Sequence, residues 1–338
     1  MKKSAKALLY AAGIGTAVTA AVAESLYYFA LTGKGNRKVK PLMNKMGKQF
    51  EYSGNDPEAD EILKNKKLFC EQVREWYAGV VKESVSTVNC LADDCYAKIV
   101  RQPEDSHLWL IAIHGFSSNV DSMAKYSMSY YEHGFNVLLP HMRGHEGSGS
   151  DKITMGWLDR YDIVAWIYYI LELDPDAQIV LHGESMGAAT VMMTVGEPLP
   201  DNVVCAVEDC GFTSLWDEYS TQITGLLKLP AFPFLYAADA ITRVRSGFNF
   251  KEASCVKQLR NSKTPMLFIH GEADNFIPFE MVYENYNAFD GEKDILTIPG
   301  AGHAEAILID HETYLKKLWE FVGKYVVLTA PAAEEKNA

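Results

Sequence analysis

The sequence holds no internal repeat and no sustained heptad pattern. Its only tract of low complexity is the polar end, Ala332–Ala338. Glycine (24) and cysteine (6) are modest in 338 residues, which excludes collagen and a disulfide-built mini-protein; without heptads there is no coiled coil. The cysteines form no C-x-x-C and no Cys/His zinc spacing. Cations are scarce: 32 Lys and Arg against 44 Asp and Glu give a net charge of −12, which argues against nucleic acid as the main partner.

What is present is apolar material, 48% of the chain, enough to offset chain entropy in a packed core. At roughly 150 residues per domain the length allows one large domain or two small ones. The charge is uneven. Residues 1–40 carry seven cations (Lys2, Lys3, Lys6, Lys34, Arg37, Lys38, Lys40) and one acid, Glu24, leaving 25 cations and 43 acids, net −18, in the remainder. Lys2, Lys3 and Lys6 precede an apolar run, Ala7–Ala23, extended by Leu26–Leu31. Residues 7–31 are long enough to span a bilayer of about 30 Å, with Tyr27, Tyr28 and Phe29 as an interfacial belt. Ala21-Val22-Ala23 alternatively suits signal cleavage, and a buried helix is a third reading. Residues 1–33 are expected to be a membrane anchor or signal, and 34–60 a basic juxtamembrane linker. The expected location is membrane-anchored with the body outside the cytoplasm; a secreted protein and a cytoplasmic face are the alternatives. Cys90 and Cys95 are placed to pair across a hairpin turn; Cys205 and Cys210 read as buried thiols.

From residue 61 short apolar runs alternate with helical stretches. Strands are expected at 108–113, 135–139, 179–181, 203–207, 266–269 and 295–298, after an opening hairpin at 84–90 and 95–100. Helices are expected at 61–81, 120–132, 158–173, 188–195, 280–289 and 305–325. This alternation predicts a mainly parallel sheet flanked by helices. Residues 213–262 break the rhythm with aromatics and prolines, and read as a helical cap.

One constellation carries chemistry. The strand ending at Leu181 runs into Gly183-Glu184-Ser185-Met186-Gly187 and a small-residue helix start, a G-x-S-x-G in the strand–turn–helix setting that gives it meaning. An acyl-transfer site also needs a base, a carboxylate to orient it and donors for an oxyanion. Asp274 lies on the loop after Met266–Ile269, and His303 sits among small residues after Ile295–Ile298. Backbone amides of Phe116 and Met186 are the expected oxyanion donors. Asp209 and Glu272 are alternative acids, and Glu208 reads as structural. His141 and His145 lie four apart on a loop with no third ligand, so hydrogen bonding is expected in place of metal. His182 and His270 read as packing or backbone-bonding residues in place of bases, and Asp159 and Arg160 as a cap or ion pair.

These residues resemble the α/β-hydrolase superfamily, nearest its bacterial membrane-anchored serine hydrolases of the serine aminopeptidase-like or prolyl-oligopeptidase-like group. The matching stretches are His114-Gly115-Phe116, Arg143-Gly144-His145, Met155–Arg160, Gly183–Thr190, His270–Asp274 and Gly302-His303, across roughly residues 60–327. The resemblance implies an α/β-hydrolase domain over 61–328 with a polar tail at 329–338, a Ser nucleophile with Asp and His partners, and hydrolase activity. An N-terminal hydrophobic segment is common in such proteins, which supports the anchor. Glu146 departs from the pattern, since many relatives have Gly directly after the His. The expected protein is a serine hydrolase acting on small to medium carboxylic esters through Ser185, Asp274 and His303. The alternatives are a peptidase or amidase, and a non-catalytic ligand-binding protein. No cofactor or metal is expected. The expected partners are a small ester or peptide and, through the N-terminal segment, a membrane. Oligomeric state is left open.

Overall fold

The computed structural model describes residues 2–49 and 57–327. Two helices, α1 (Lys2–Leu31) and α2 (Gly33–Gln49), precede α3 (Pro57–Gly79). The antiparallel hairpin β1 (Glu83–Val88) and β2 (Asp94–Val100) opens the sheet. There follow β3 (Leu108–Ile113), α4 (Ala124–Glu132), β4 (Asn136–Pro140), α5 (Asp159–Leu173), β5 (Gln178–Glu184), α6 (Met186–Thr194) and β6 (Val203–Asp209). The cap holds α7 (Leu215–Thr221), α8 (Ala231–Ser246) and α9 (Cys255–Leu259). The chain then returns to β7 (Met266–Gly271), α10 (Glu280–Ala288), β8 (Lys293–Ile298), α11 (Ala306–Ile309) and α12 (His311–Val322).

The eight strands order β1-β2-β4-β3-β5-β6-β7-β8, antiparallel through β4 and parallel from there on. This is the mainly parallel sheet that the alternating pattern predicts. Every residue of β3 is buried, as its unbroken apolar run requires of a strand covered on both faces. One core lies on each face. Trp109, Trp166 and Phe212 belong to one, and Tyr126, Tyr130 and Phe321 to the other. Helix starts follow local chemistry: the Ser214 and Asp310 side chains accept from the Asp217 and Thr313 amides and cap α7 and α12.

The N-terminal segment departs from expectation. Among the described residues no helix is long and apolar enough to cross a membrane, so the expected anchor finds no support. The second half of α1 instead lies on the body. Ala23 and Leu31 are fully covered, Tyr27 Oη lies 3.1 Å from Ser246 Oγ, and the Arg245 guanidinium donates to both oxygens of Glu24. Beyond α1, the Gly33 amide donates to Asp151 O, the Ile153 amide donates to Leu31 O, and Asn36 Nδ2 donates to Ser117 Oγ. The physical reason is that α8 offers the apolar stripe of α1 a protein surface in place of lipid. Helix α2 occupies much of the stretch read as a linker; residues 50–56 of that stretch and the tail at 329–338 lie outside the described residues. All six cysteines are unpaired, including Cys90 and Cys95.

Candidate active site

The turn from β5 to α6 holds Ser185 at φ 56°, ψ −115°, a conformation that costs energy for any residue with a Cβ. Its surroundings enforce it. The Ser185 amide donates to Asp209 O across the sheet at 2.8 Å. A Cβ on Gly187 would strike the Ile113 carbonyl, and one on Gly183 the Gly187 carbonyl, so the two motif glycines let neighbouring backbone close around the turn. Met186 opens α6, where first-turn amides lack an intrahelical acceptor and point outward with the positive end of the helix.

The loops after β7 and β8 bring the other two predicted residues to this turn. Ser185 Oγ lies 2.9 Å from His303 Nε2, and His303 Nδ1 lies 2.8 Å from Asp274 Oδ2. Asp274 Oδ1 accepts from the amides of Phe276 and Ile277 at 2.8 and 2.9 Å. Burial raises the Asp274 pKa, but the charge of His303 and hydrogen bonds from His270 and His303 outweigh it and hold the carboxyl below its usual range. Burial lowers the His303 pKa, and the Asp274 carboxylate outweighs that too, leaving it above the ordinary 6.5. His270 Nε2 lies 3.2 Å from the Ile277 carbonyl, the backbone contact expected of it, and also 3.2 Å from Asp274 Oδ2, a second fix on the acid.

Asp209, the alternative acid, is engaged elsewhere. Its Oδ2 accepts from Tyr126 and Tyr314 at 2.9 and 3.0 Å. It belongs to a buried group beneath the turn in which Lys125 pairs with Glu184, and Tyr126 donates to Glu184. Glu272 accepts from Thr297, and Glu208 accepts from the Gly211 amide. Asp159 accepts from Thr154 and the amides of Arg143 and Gly156, while Arg160 pairs with Glu197. His145 Nε2 accepts from the Ser117 amide, and His141 Nδ1 donates to Glu146 O. Among the described residues one cluster has metal-ligand types, Cys210, Asp274 and His303, with donor atoms within 4.8 Å of one another. Two of these, Asp274 and His303, already bond each other, and Cys210 is fully buried.

Ser185, Met186 and Phe116 share the wall of a cavity of about 550 Å³ with Phe212, Tyr219 and Phe250. Sequence reading missed Glu218, which lines the same cavity. It is buried, its Oε1 accepts from Gln222, and its Oε2 has no partner among the described residues. Burial lifts its pKa to about 8, partly countered by His303. No short-range pattern flags it; only its place in the aromatic cap is suggestive.

A family profile described as alpha/beta hydrolase fold matches residues 109–240. The chain is 27% identical over 221 residues to YqkD, an uncharacterized protein of Bacillus subtilis, covering 65% of this chain and 72% of that one. It is 24% identical over 232 residues to the acylamino-acid-releasing enzyme of Sus scrofa, covering 64% of this chain but only 32% of that enzyme. Among solved structures, an esterase of Pyrococcus furiosus superposes with TM-score 0.59 at 20% identity, over 76% of this chain and 96% of that one. The acylaminoacyl peptidase of Pyrococcus horikoshii does so with TM-score 0.55 at 16% identity, over 71% and 41%. The fold is that of the α/β hydrolases. In that fold, helices α7–α9 form an insertion between β6 and β7.

Proposed function

We propose that the protein is a serine hydrolase that cleaves carboxylic esters of small to medium size. The observation that carries this reading is the chain of contacts Ser185–His303–Asp274, 2.9 and 2.8 Å long, beside an apolar, aromatic cavity. His303 takes the Ser185 proton as Oγ attacks the acyl carbon. Asp274 holds the imidazole in the tautomer that accepts at Nε2 and stabilises its charged form. The Phe116 and Met186 amides receive the oxyanion. His303 passes the proton to the leaving alcohol, then activates the water that hydrolyses the acyl-enzyme.

Peptide or amide cleavage is the second reading. It draws on the similarity to acylaminoacyl peptidases and on Glu218, a carboxyl in the cavity suited to a substrate amine. Turnover of p-nitrophenyl acyl esters is compared with that of aminoacyl-p-nitroanilides. The ester reading expects higher kcat/KM for the esters, and preference for the anilides overturns it. A fluorophosphonate that fails to label Ser185 in the folded protein, leaving wild type and Ser185→Ala indistinguishable, would leave a ligand-binding protein without catalysis. A membrane-proximal location remains part of the proposal, supported by the seven cations among residues 1–40; cell fractionation with protease protection tests it.

A further inference from the structure

The cavity beside Ser185 has a wall that the hydrolase body does not supply. Val22, Leu26 and Ala30 of α1 line it. They lie four residues apart, so they form one stripe along the helix, about 12 Å long at 1.5 Å per residue. The cap supplies Tyr219, Ile223 and Leu235 to the same cavity. Helix α1 is fixed in this position by the Tyr27–Ser246 contact, by the two hydrogen bonds from Arg245 to Glu24, and by the Ile153–Leu31 bond just past its end.

We propose that α1 sets the length of the acyl chain the site accepts, and that the acyl group is an unbranched apolar chain of medium length lying along Val22, Leu26 and Ala30. This rests on the ester reading for its chemistry. A groove walled by aliphatic side chains gains affinity with each methylene it covers, about 0.8 kcal/mol, and is indifferent to what lies beyond its end. A stripe formed by a helix from outside the body is also the part of the wall that changes with least disturbance to the Ser185 turn. Signal cleavage after Ala23 would remove Val22 from this wall, so the proposal requires α1 to remain attached.

The full chain is assayed on p-nitrophenyl esters from acetyl to dodecanoyl, reading ratios of kcat/KM. Ala30→Trp, which places an indole in the groove, lowers the decanoyl-to-acetyl ratio by roughly tenfold or more. Leu26→Ala, which widens the groove, raises the dodecanoyl-to-acetyl ratio and serves if Ala30→Trp does not fold. Unchanged ratios in the folded variants overturn the proposal. Thermal denaturation with decanoic acid reads the same wall without turnover. The acid raises the Tm of wild type and not of Ala30→Trp; no shift in wild type, or equal shifts in both, overturns the proposal. Decanoic acid binding without turnover of any ester retains the wall and removes the ester reading alone.

Discussion

Glu24 and Arg245 lie 221 residues apart in the chain and meet in a two-point ion pair, each guanidinium nitrogen 2.7 Å from its own carboxylate oxygen. About half of each side chain is exposed, so water and salt screen the pair. Leu31, at the end of the same helix, is covered to 1% exposure. Burial rather than charge should therefore hold α1. Glu24→Ala is expected to cost less than about 1 kcal/mol, and Leu31→Ala about 2–5 kcal/mol. Urea denaturation of the two variants checks the ranking.

Asp274 accepts from His303, His270 and two backbone amides. Asp274→Asn keeps the shape but offers His303 a donor where it needs an acceptor, which favours the wrong imidazole tautomer. On the proposed mechanism kcat falls by about four orders of magnitude. Glu272→Gln, which alters only a contact to Thr297, leaves kcat within about the twofold to threefold spread of context effects. Steady-state kinetics on one short ester measures both.

His303 must be neutral to accept the serine proton. The rate therefore rises with pH through its pKa, which the Asp274 carboxylate holds above 6.5. The acid limb of kcat/KM is expected above pH 6.5 in wild type and shifted to lower pH in Asp274→Asn. A limb at the same pH in both proteins would contradict the electrostatic role given to Asp274.

Glu218 is buried with one oxygen unpartnered, and its pKa rises from an ordinary 4.5 to about 8. The folded state thus holds a proton that the unfolded chain releases. Stability from this group is full below pH 4.5 and is lost as pH climbs toward 8. Glu218→Gln removes the burial of a charge without changing shape. Its Tm is expected to exceed that of wild type at pH 9 and to approach it at pH 4.5, as differential scanning calorimetry would show.

The sheet was legible because burial on both faces leaves unbroken apolar runs, as in β3, and because the glycines at 183 and 187 mark a turn whose geometry permits little else. Asp274 and His303 are legible because each lies on the loop just after a strand and follows a small residue, Ala273 or Gly302. The destination of α1 was not. A stripe of Ala, Val, Leu and Tyr reads identically whether it faces lipid or a helix 200 residues later, and the Glu24 that interrupts the run was the one local sign of a protein partner. Glu218 escaped because the features that matter, an apolar cavity and a missing hydrogen-bond partner, belong to tertiary packing. His270 was read from its position at a strand end, which says nothing of the aspartate four residues on that folds back to meet it.

The Tyr27–Ser246 contact joins residues 219 apart, and that separation has a cost in time. During synthesis at about 5–20 residues per second, the surface that covers α1 emerges on the order of tens of seconds after α1 itself. For that interval the apolar stripe is bare while the cap helix it will pack on is still being made. The segment that finishes the cavity thus leaves the ribosome well before the surface it rests on, and a holding chaperone has its opportunity in that interval.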